Sequence, residues 1–331
     1  MALTEEGIIN VPGILSRWVR LPNGTKAHYS TSGETGPAVI LMHGGITGSS
    51  GLAGWRYMAP FLGANGFRVY CPDYPGFGLT ENYETVYEPG AGSHVDFTHD
   101  FANALCLEKF FVSGNSMGCA NAVNYITAHP ERILSYALIA GSIGEIVPWS
   151  EIWAADTRTE AEKPNIVEFD GTPEAMKALM SSIILDPSKI SEDLTNMRTV
   201  AANKHRDYYA KLLHAWTLGA EERTKARLNT KGRFDRLTGI PAIYLYGTED
   251  VLWPHTLSGY RQEDALPHVQ FFYPENTGHQ GQTDQPELFN QVFLEFFRDG
   301  KVSWETAQRA GISTRRSPLG SVVDLSGHAS A

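Results

Sequence analysis

Phe110-Phe-Val-Ser-Gly114-Asn115-Ser116-Met117-Gly118 decides the fold of this chain. An apolar run of β type ends in a G-x-S-x-G pentapeptide, and from Met117 to Ala128 the residues favour a helix. Glycines flank the serine because a strand that turns directly into a helix brings its backbone too close for side chains and strains the residue at the apex. The Ser116 hydroxyl is then lifted above a sheet edge, at a helix start where free N–H groups favour developing negative charge. A Gly/Ser turn without chemistry would explain the pentapeptide alone. Its strand–turn–helix setting points instead to a nucleophile.

Strands and helices alternate outward from this point. Ala38-Val-Ile-Leu-Met42 is a continuous apolar run ending in His43-Gly44-Gly45, as a strand buried on both faces would be. Trp55–Ala64 is predicted helical, Arg68–Cys71 a strand closing on Asp73-Tyr-Pro-Gly-Phe-Gly78, His94–Leu107 a helix and Ile133–Ala140 a strand. Such βαβα alternation implies a parallel sheet covered by helices on both faces. Before it, Ile14–Leu21 and Lys26–Thr31 flank the turn signal Pro22-Asn23-Gly24, which predicts an antiparallel hairpin.

The alternation stops near Gly144 and resumes at Ile240–Tyr246. A gap of about ninety residues is too long for a structureless loop in a compact domain. A helical insertion fits it. One helix follows Thr172-Pro173 with Met176, Leu179, Met180, Ile183 and Ile184 on one stripe; a second follows Ser191 with Leu194, Met197, Arg198 and Ala201 along one side. A third carries Tyr208, Tyr209, Leu212 and Leu213. A last α/β unit spans Val269–Tyr273 and a helix at Pro286–Arg298. The expected fold is α/β, a mostly parallel sheet with an N-terminal hairpin. Residues 1–144 and 237–300 form its core, 145–236 a helical cap, and 301–331 a polar, loosely attached tail.

Composition narrows the partners. The 331 residues include 27 basic and 37 acidic ones, for a net charge of −10, which argues against nucleic acid. From Glu145 to Arg236 there are 15 acidic and 14 basic residues, so the negative excess lies outside the insertion. Cys71, Cys106 and Cys119 are an odd, sparse set without metal-site spacing, which fits a reducing cytoplasm and gives no disulfide framework. Glu5 and Glu6 stand where a signal peptide would be basic and then apolar, and no apolar run reaches the roughly 18 residues of a spanning helix. A small-molecule substrate is the expected partner, with no membrane, no metal and no cofactor; a homo-oligomer is left open.

Serine at its normal pKa needs a base and an acid to orient that base. Downstream, Gly247-Thr-Glu-Asp250 follows one strand and Gly278-His279 another, giving the order serine, acid, histidine. Loops after parallel strands gather at the carboxyl edge of a sheet, so Asp250 and His279 are expected beside Ser116. Glu249 is the nearest rival to Asp250. Two N–H donors should face the oxyanion: Met117 from the turn geometry and Gly45 from the glycine loop, with Ile46 as the alternative. His43 is expected to brace that loop.

Four motifs in register, His43-Gly44-Gly45, Asp73–Gly78, Gly114–Gly118 and Gly247–Asp250 with His279, make the chain similar to the α/β-hydrolase superfamily from about residue 14 to 298. Gly-Asn-Ser-Met-Gly and the segment Ala178–Arg198 resemble those of the meta-cleavage product hydrolases, which cut C–C bonds in vinylogous 1,5-diketones. The resemblance places their carboxylate-binding arginine on Arg198 and an asparagine lining the acidic end of the substrate on Asn115. Two positions depart from that pattern. Gln280 replaces the family's tryptophan after the histidine, and Tyr57 falls where an asparagine is usual. Both departures touch the dienoate end of the pocket and bring the chain nearer to hydrolases of phthalate-type monoesters.

Arg198 also stands on an apolar stripe, where a guanidinium must be paired. Either a structural salt bridge or a substrate carboxylate would serve. The resulting expectation is a serine hydrolase acting on a hydrophobic or aromatic carboxylic ester that retains a free carboxylate, with Arg198, Asn115 and Gln280 toward the substrate. Carbon–carbon hydrolysis of a 2-hydroxy-6-oxo-dienoate is the alternative, and a small-molecule receptor on a hydrolase scaffold is a second one.

Overall fold

The computed structural model describes residues 3–82, 84–159, 162–163, 168–218 and 228–327. Eight strands form one sheet: β1 (Leu15–Arg20), β2 (Lys26–Ser32), β3 (Ala38–Met42), β4 (Arg68–Pro72), β5 (Phe110–Asn115), β6 (Ile133–Ile139), β7 (Ala242–Leu245) and β8 (Gln270–Phe272), in the order β1-β2-β4-β3-β5-β6-β7-β8. The β1–β2 hairpin and the β2–β4 pair are antiparallel, and every other pair is parallel. The Gly24 N–H closes the hairpin turn on the Leu21 carbonyl at 2.9 Å, with φ of 92° at Gly24.

The helices, in chain order, begin with α1 (Gly51–Trp55), α2 (Met58–Ala64), α3 (Ala91–Ala104) and α4 (Met117–Ala128). Between β6 and β7 lie α5 (Trp149–Ala155), α6 (Pro173–Ser181), α7 (Glu192–Lys204), α8 (Arg206–Leu218) and α9 (Asp235–Thr238). Then come α10 (Tyr260–Ala265), α11 (Gly281–Asp284), α12 (Pro286–Asp299) and α13 (Trp304–Arg309). Alternate strand residues feed opposite cores, as the period of two requires. Ile40, Met42, Val112 and Leu138 pack with Phe97 and Phe101 of α3 and Ala122 and Ile126 of α4. Val39, Leu41, Ala137 and Ile139 pack with Met58 and Leu62 of α2 and Phe289 and Phe293 of α12. A third cluster joins the cap to the body: Met176, Leu179, Met180, Leu194 and Met197 meet Leu52 and Ala53 of α1 and Leu252.

Two expectations need correction. The helix expected over Trp55–Ala64 is broken at Arg56-Tyr57 into α1 and α2. Pro60 explains the break, because inside a continuous helix it would remove one hydrogen bond and press on the carbonyl of residue 56, whereas it is tolerated in the first turn of α2. The tail is the larger error. Residues 301–327 are packed on the body: Val302, Ala307, Ala310, Val322 and Val323 are at most 1% exposed and join the α12 side of the core. Ser313 N–H donates to the Phe271 carbonyl at 3.0 Å and Tyr273 N–H to Gly311 at 2.7 Å, so the segment covers the open edge of β8. Arg315 and Arg316 pair with Glu263, itself 1% exposed. Few apolar anchors suffice because each lands on an exposed helix face or an unpaired strand edge, the surfaces most in need of cover.

Candidate active site

Ser116 joins β5 to α4 with φ of 57° and ψ of −120°, a conformation costly for any residue with a side chain. The neighbouring glycines are obligatory. A Cβ on Gly114 would lie 2.0 Å from the Gly118 carbonyl oxygen, and one on Gly118 would lie 2.2 Å from that of Met42. Main-chain bonds lock the apex, with Ser116 N–H donating to Ile139 at 3.0 Å and Cys119 N–H donating to Ser116 at 2.9 Å.

Asp250 and His279 stand on the loops after β7 and β8, 2% and 3% exposed. Asp250 Oδ1 accepts from the N–H groups of Leu252 (3.0 Å) and Trp253 (3.1 Å), which leaves Oδ2 facing His279 Nδ1 at 2.8 Å. A carboxylate at Nδ1 puts the imidazole proton there, so the Nε2 lone pair is available to accept a proton. Nε2 is buried and makes no hydrogen bond among the described residues. Glu249, the rival acid, is committed elsewhere: Oε2 accepts from Thr248 Oγ1 at 2.5 Å and from Thr277 N–H at 2.9 Å. Burial pushes its carboxyl up, but these donors outweigh burial and hold it below the ordinary value.

The glycine loop approaches Ser116 closely, since a Cβ on Gly44 would lie 3.3 Å from Ser116 Cβ. His43 braces this loop. Its Nε2 accepts from Tyr74 N–H at 3.1 Å, so Nδ1 carries the proton and donates to the Gly44 carbonyl at 2.7 Å. Burial holds the His43 pKa down, which keeps the ring neutral. In a trans peptide the C=O and N–H point opposite ways, so the Gly45 N–H is aimed away from His43. The next peptide is pinned from the cap, where Tyr209 Oη donates to the Gly45 carbonyl at 2.9 Å.

Arg198 of α7 is 2% exposed, and no carboxylate pairs with it among the described residues. Its Nη2 makes only long contacts, 3.4 Å to the Thr47 carbonyl and 3.3 Å to Ser49 Oγ, and Nε is buried without a partner. Burial pushes the guanidinium down to about 10. Its backbone reaches the loop as well, since a Cβ on Gly48 (φ +74°) would lie 2.4 Å from the Arg198 carbonyl oxygen. Of the two fates left open for this arginine, the structural salt bridge is absent from the described residues.

Asn115, expected on the substrate side, is 2% exposed and has a bracing role as well. Its Nδ2 donates to the carbonyls of Ile139 (3.1 Å) and His279 (3.0 Å), so the amide ties the Ser116 turn to the histidine loop. Gln280 donates its N–H to Ile183 of the cap at 3.0 Å, and its Oε1 is buried without a partner. Tyr57 lies under the Arg56 guanidinium, 4.5 Å from the ring centre, and so serves the cap–body junction. Tyr209, Arg56 and Asp284 were not picked out from sequence. Tyr209 sat on an apolar stripe, and the partners of all three include main-chain carbonyls or N–H groups that carry no residue signature. Among the described residues no group of three or more His, Cys, Asp or Glu could hold a metal, and no helix is long and apolar enough to cross a membrane.

The elbow, the acid and histidine on successive strand ends, and the inserted cap place the chain in a class: it belongs to the alpha/beta hydrolase fold family, which matches residues 37–286. It is a serine-type hydrolase of that family and resembles the meta-cleavage product hydrolases. The 2-hydroxy-6-oxononadienedioate/2-hydroxy-6-oxononatrienedioate hydrolase of Paraburkholderia phymatum is 28% identical over 289 residues, 83% of this chain and 93% of that protein. The 2-hydroxy-6-oxo-6-(2'-aminophenyl)hexa-2,4-dienoic acid hydrolase of Metapseudomonas resinovorans is 28% identical over 276 residues, 82% and 88% of the two chains. Among solved structures, the 2-hydroxy-6-oxo-6-phenylhexa-2,4-dienoate hydrolase of Rhodococcus sp. strain RHA1 has a TM-score of 0.67 at 24% identity, covering 86% of this chain and 99% of that one. That last likeness shows the fold alone.

Proposed function

We propose that the protein hydrolyses an acyl bond in a hydrophobic substrate that carries a free carboxylate. The observation that carries this reading is Arg198, a buried cation with no counter-ion among the described residues, packed against the Thr47–Ser49 stretch that follows the glycine loop. An isolated buried charge is costly, and a substrate carboxylate would supply the partner through a charge-assisted, two-pronged hydrogen bond.

In this reading His279 Nε2 takes the Ser116 proton as Oγ attacks the carbonyl, and Asp250 stabilises the imidazolium through Nδ1. The N–H groups of Met117 and Gly45 hold the oxyanion. The protonated histidine then gives its proton to the leaving group, and water resolves the acyl-enzyme by the same route in reverse. Asn115 keeps the Ser116 turn and the His279 loop in register, and Gln280 lines the substrate side.

Two acyl bonds fit this chemistry. The relatives are named as hydrolases of 2-hydroxy-6-oxo dienedioates and a dienoic acid, and that favours carbon–carbon cleavage over the ester expected from sequence. Carbon–carbon cleavage adds one step, because the dienol must become a ketone before the carbanion can leave, and His279 would manage that proton. A phthalate-type monoester is the second reading. It is favoured by Gln280 and Tyr57, which replace residues of the dienoate end, while ester cleavage asks only for the serine, its base and the carboxylate anchor. The test is one preparation assayed on both: loss of the yellow dienoate absorbance against acid release from a monoalkyl phthalate. Turnover of neither, with no labelling of Ser116 by a fluorophosphonate, would leave the receptor reading.

A further inference from the structure

The cap meets the body next to His279, and the contact is made by main chain on one side and a single carboxylate on the other. Asp284, at the end of α11, is 9% exposed. Its Oδ1 accepts from the N–H groups of Leu185 at 2.8 Å and Asp186 at 3.1 Å, in the cap segment that follows α6. Its Oδ2 accepts from the N–H of Gly278 at 2.9 Å, the residue before His279. On the other flank of the histidine, Gln280 N–H donates to the Ile183 carbonyl at 3.0 Å. Of the two neighbours of His279, Gln280 is thus bound to this stretch of cap directly and Gly278 through Asp284.

The packing agrees with this junction. A Cβ on Gly278 would lie 3.3 Å from Leu185 Cβ and 3.4 Å from Leu185 N, so the cap segment lies directly against the histidine loop. The far end of the segment is held by Arg56, whose Nη2 donates to the Lys189 carbonyl at 2.9 Å while Nη1 holds Ala53 at 2.7 Å. A carboxylate has about four acceptor positions, and here three are taken by N–H groups from two separate parts of the chain. Such charge-assisted bonds are roughly twice as strong as neutral ones.

We propose that Asp284 is a positioning residue that couples cap docking to the placement of His279, so that the imidazole reaches its working position only when residues 183–189 are seated. The coupling deepens the serine-hydrolase reading and rests on it for its effect on rate. A merely space-filling role would be kept by an isosteric amide. In Asp284→Asn one acceptor atom becomes a donor facing N–H groups, so the three bonds cannot all survive.

The test uses Asp284→Asn and Asp284→Ala in the full chain. Both are expected to lower kcat, and the rate of fluorophosphonate labelling at Ser116, by about 10–100-fold, as small misplacements of reacting groups do. KM should stay within about twofold, because the Arg198 anchor is untouched. Amide hydrogen exchange should quicken at residues 278–280 and 183–186 together. Wild-type kcat and labelling in Asp284→Asn would overturn the proposal, as would faster exchange in one segment only. If the wild-type chain is not labelled at all, the serine-hydrolase reading falls, and exchange still decides the coupling. Should neither variant fold, native-state exchange in the wild-type chain decides it: Gly278 and Leu185 must open with the same free energy, and unequal openings sink the idea.

Discussion

At the carboxyl edge of the sheet, Ser116, Asp250 and His279 each follow a strand end within a few residues, and main-chain atoms hold them: Ile139 and Cys119 around the serine, Leu252 and Trp253 on the aspartate. In the cap, Arg198 and Tyr209 stand within helices α7 and α8 and work across a gap, reaching Thr47, Ser49 and Gly45 of the opposite part of the chain. The first arrangement is built on strand ends and their main chain, and it meets the cap around the acid and the histidine, where Arg158 donates to the Val251 and Leu252 carbonyls and Gln280 N–H donates to Ile183. The second exists only while the cap is docked. The edge therefore carries the residues common to the fold, the cap carries those that face the substrate, and the His279 loop is where the two are joined.

The contrast sets the order of expected effects. Ser116→Ala should abolish turnover, by about 10⁴-fold or more, while calorimetry still finds a non-hydrolysed carboxylate such as phthalate bound at Arg198. Wild-type turnover in this variant would end the proposed mechanism. Asp250→Asn comes next, at about 10³–10⁴-fold in kcat, because the amide favours the wrong imidazole tautomer. Retained kcat would mean that Glu249 or another group orients His279.

Arg198→Met tests the other side of the comparison. For a carboxylate substrate kcat/KM should fall by about 100-fold, the worth of a charged hydrogen bond, while a neutral ester of similar size loses little. Equal losses on both substrates would make Arg198 structural. The same residue gives a pH test. Burial brings its pKa down to about 10, so affinity for the carboxylate should decline as pH rises through that value, and turnover of the neutral ester should not share that limb. Stability moves the other way: from about 10 up to the ordinary guanidinium value the unfolded chain binds more protons at this group, so its cost to folding is relieved as pH rises there.

What was legible in the sequence follows the same division. The pentapeptide around Ser116 could be read because its glycines answer to backbone distances of 2.0 and 2.2 Å, which allow no other residue. Asp250 could be preferred to Glu249 by position, since the N–H groups of Leu252 and Trp253 that orient its carboxylate toward His279 are neighbours in the strand-end loop. The bonds of the Asn115 amide to the Ile139 and His279 carbonyls were not legible, because main-chain acceptors carry no residue signature. The segment after Gly300 was misread for a related reason. Its hold on the body depends on where Val302, Val322 and Val323 land and on Arg315 and Arg316 meeting the buried Glu263, none of which composition records.

Tyr209 gives the smallest effect and the finest test of the comparison. Its hydroxyl ties the cap to the glycine loop through the Gly45 carbonyl at 2.9 Å, and burial pushes its pKa up to about 12, so it is a neutral donor across the working range. Tyr209→Phe removes that donor and keeps the ring against Phe77, whose centre lies 5.9 Å away. A neutral hydrogen bond is worth about 0.5–1.5 kcal/mol, so kcat should fall by no more than about tenfold, with KM nearly unchanged. Binding of a tetrahedral analogue, such as a boronic acid, should weaken by the same factor while phthalate binding stays constant, because only the former needs the oxyanion donors in place. If phthalate binding weakens instead, Tyr209 serves Arg198 rather than the loop, and the cap's influence on the edge does not pass through the Gly45 carbonyl.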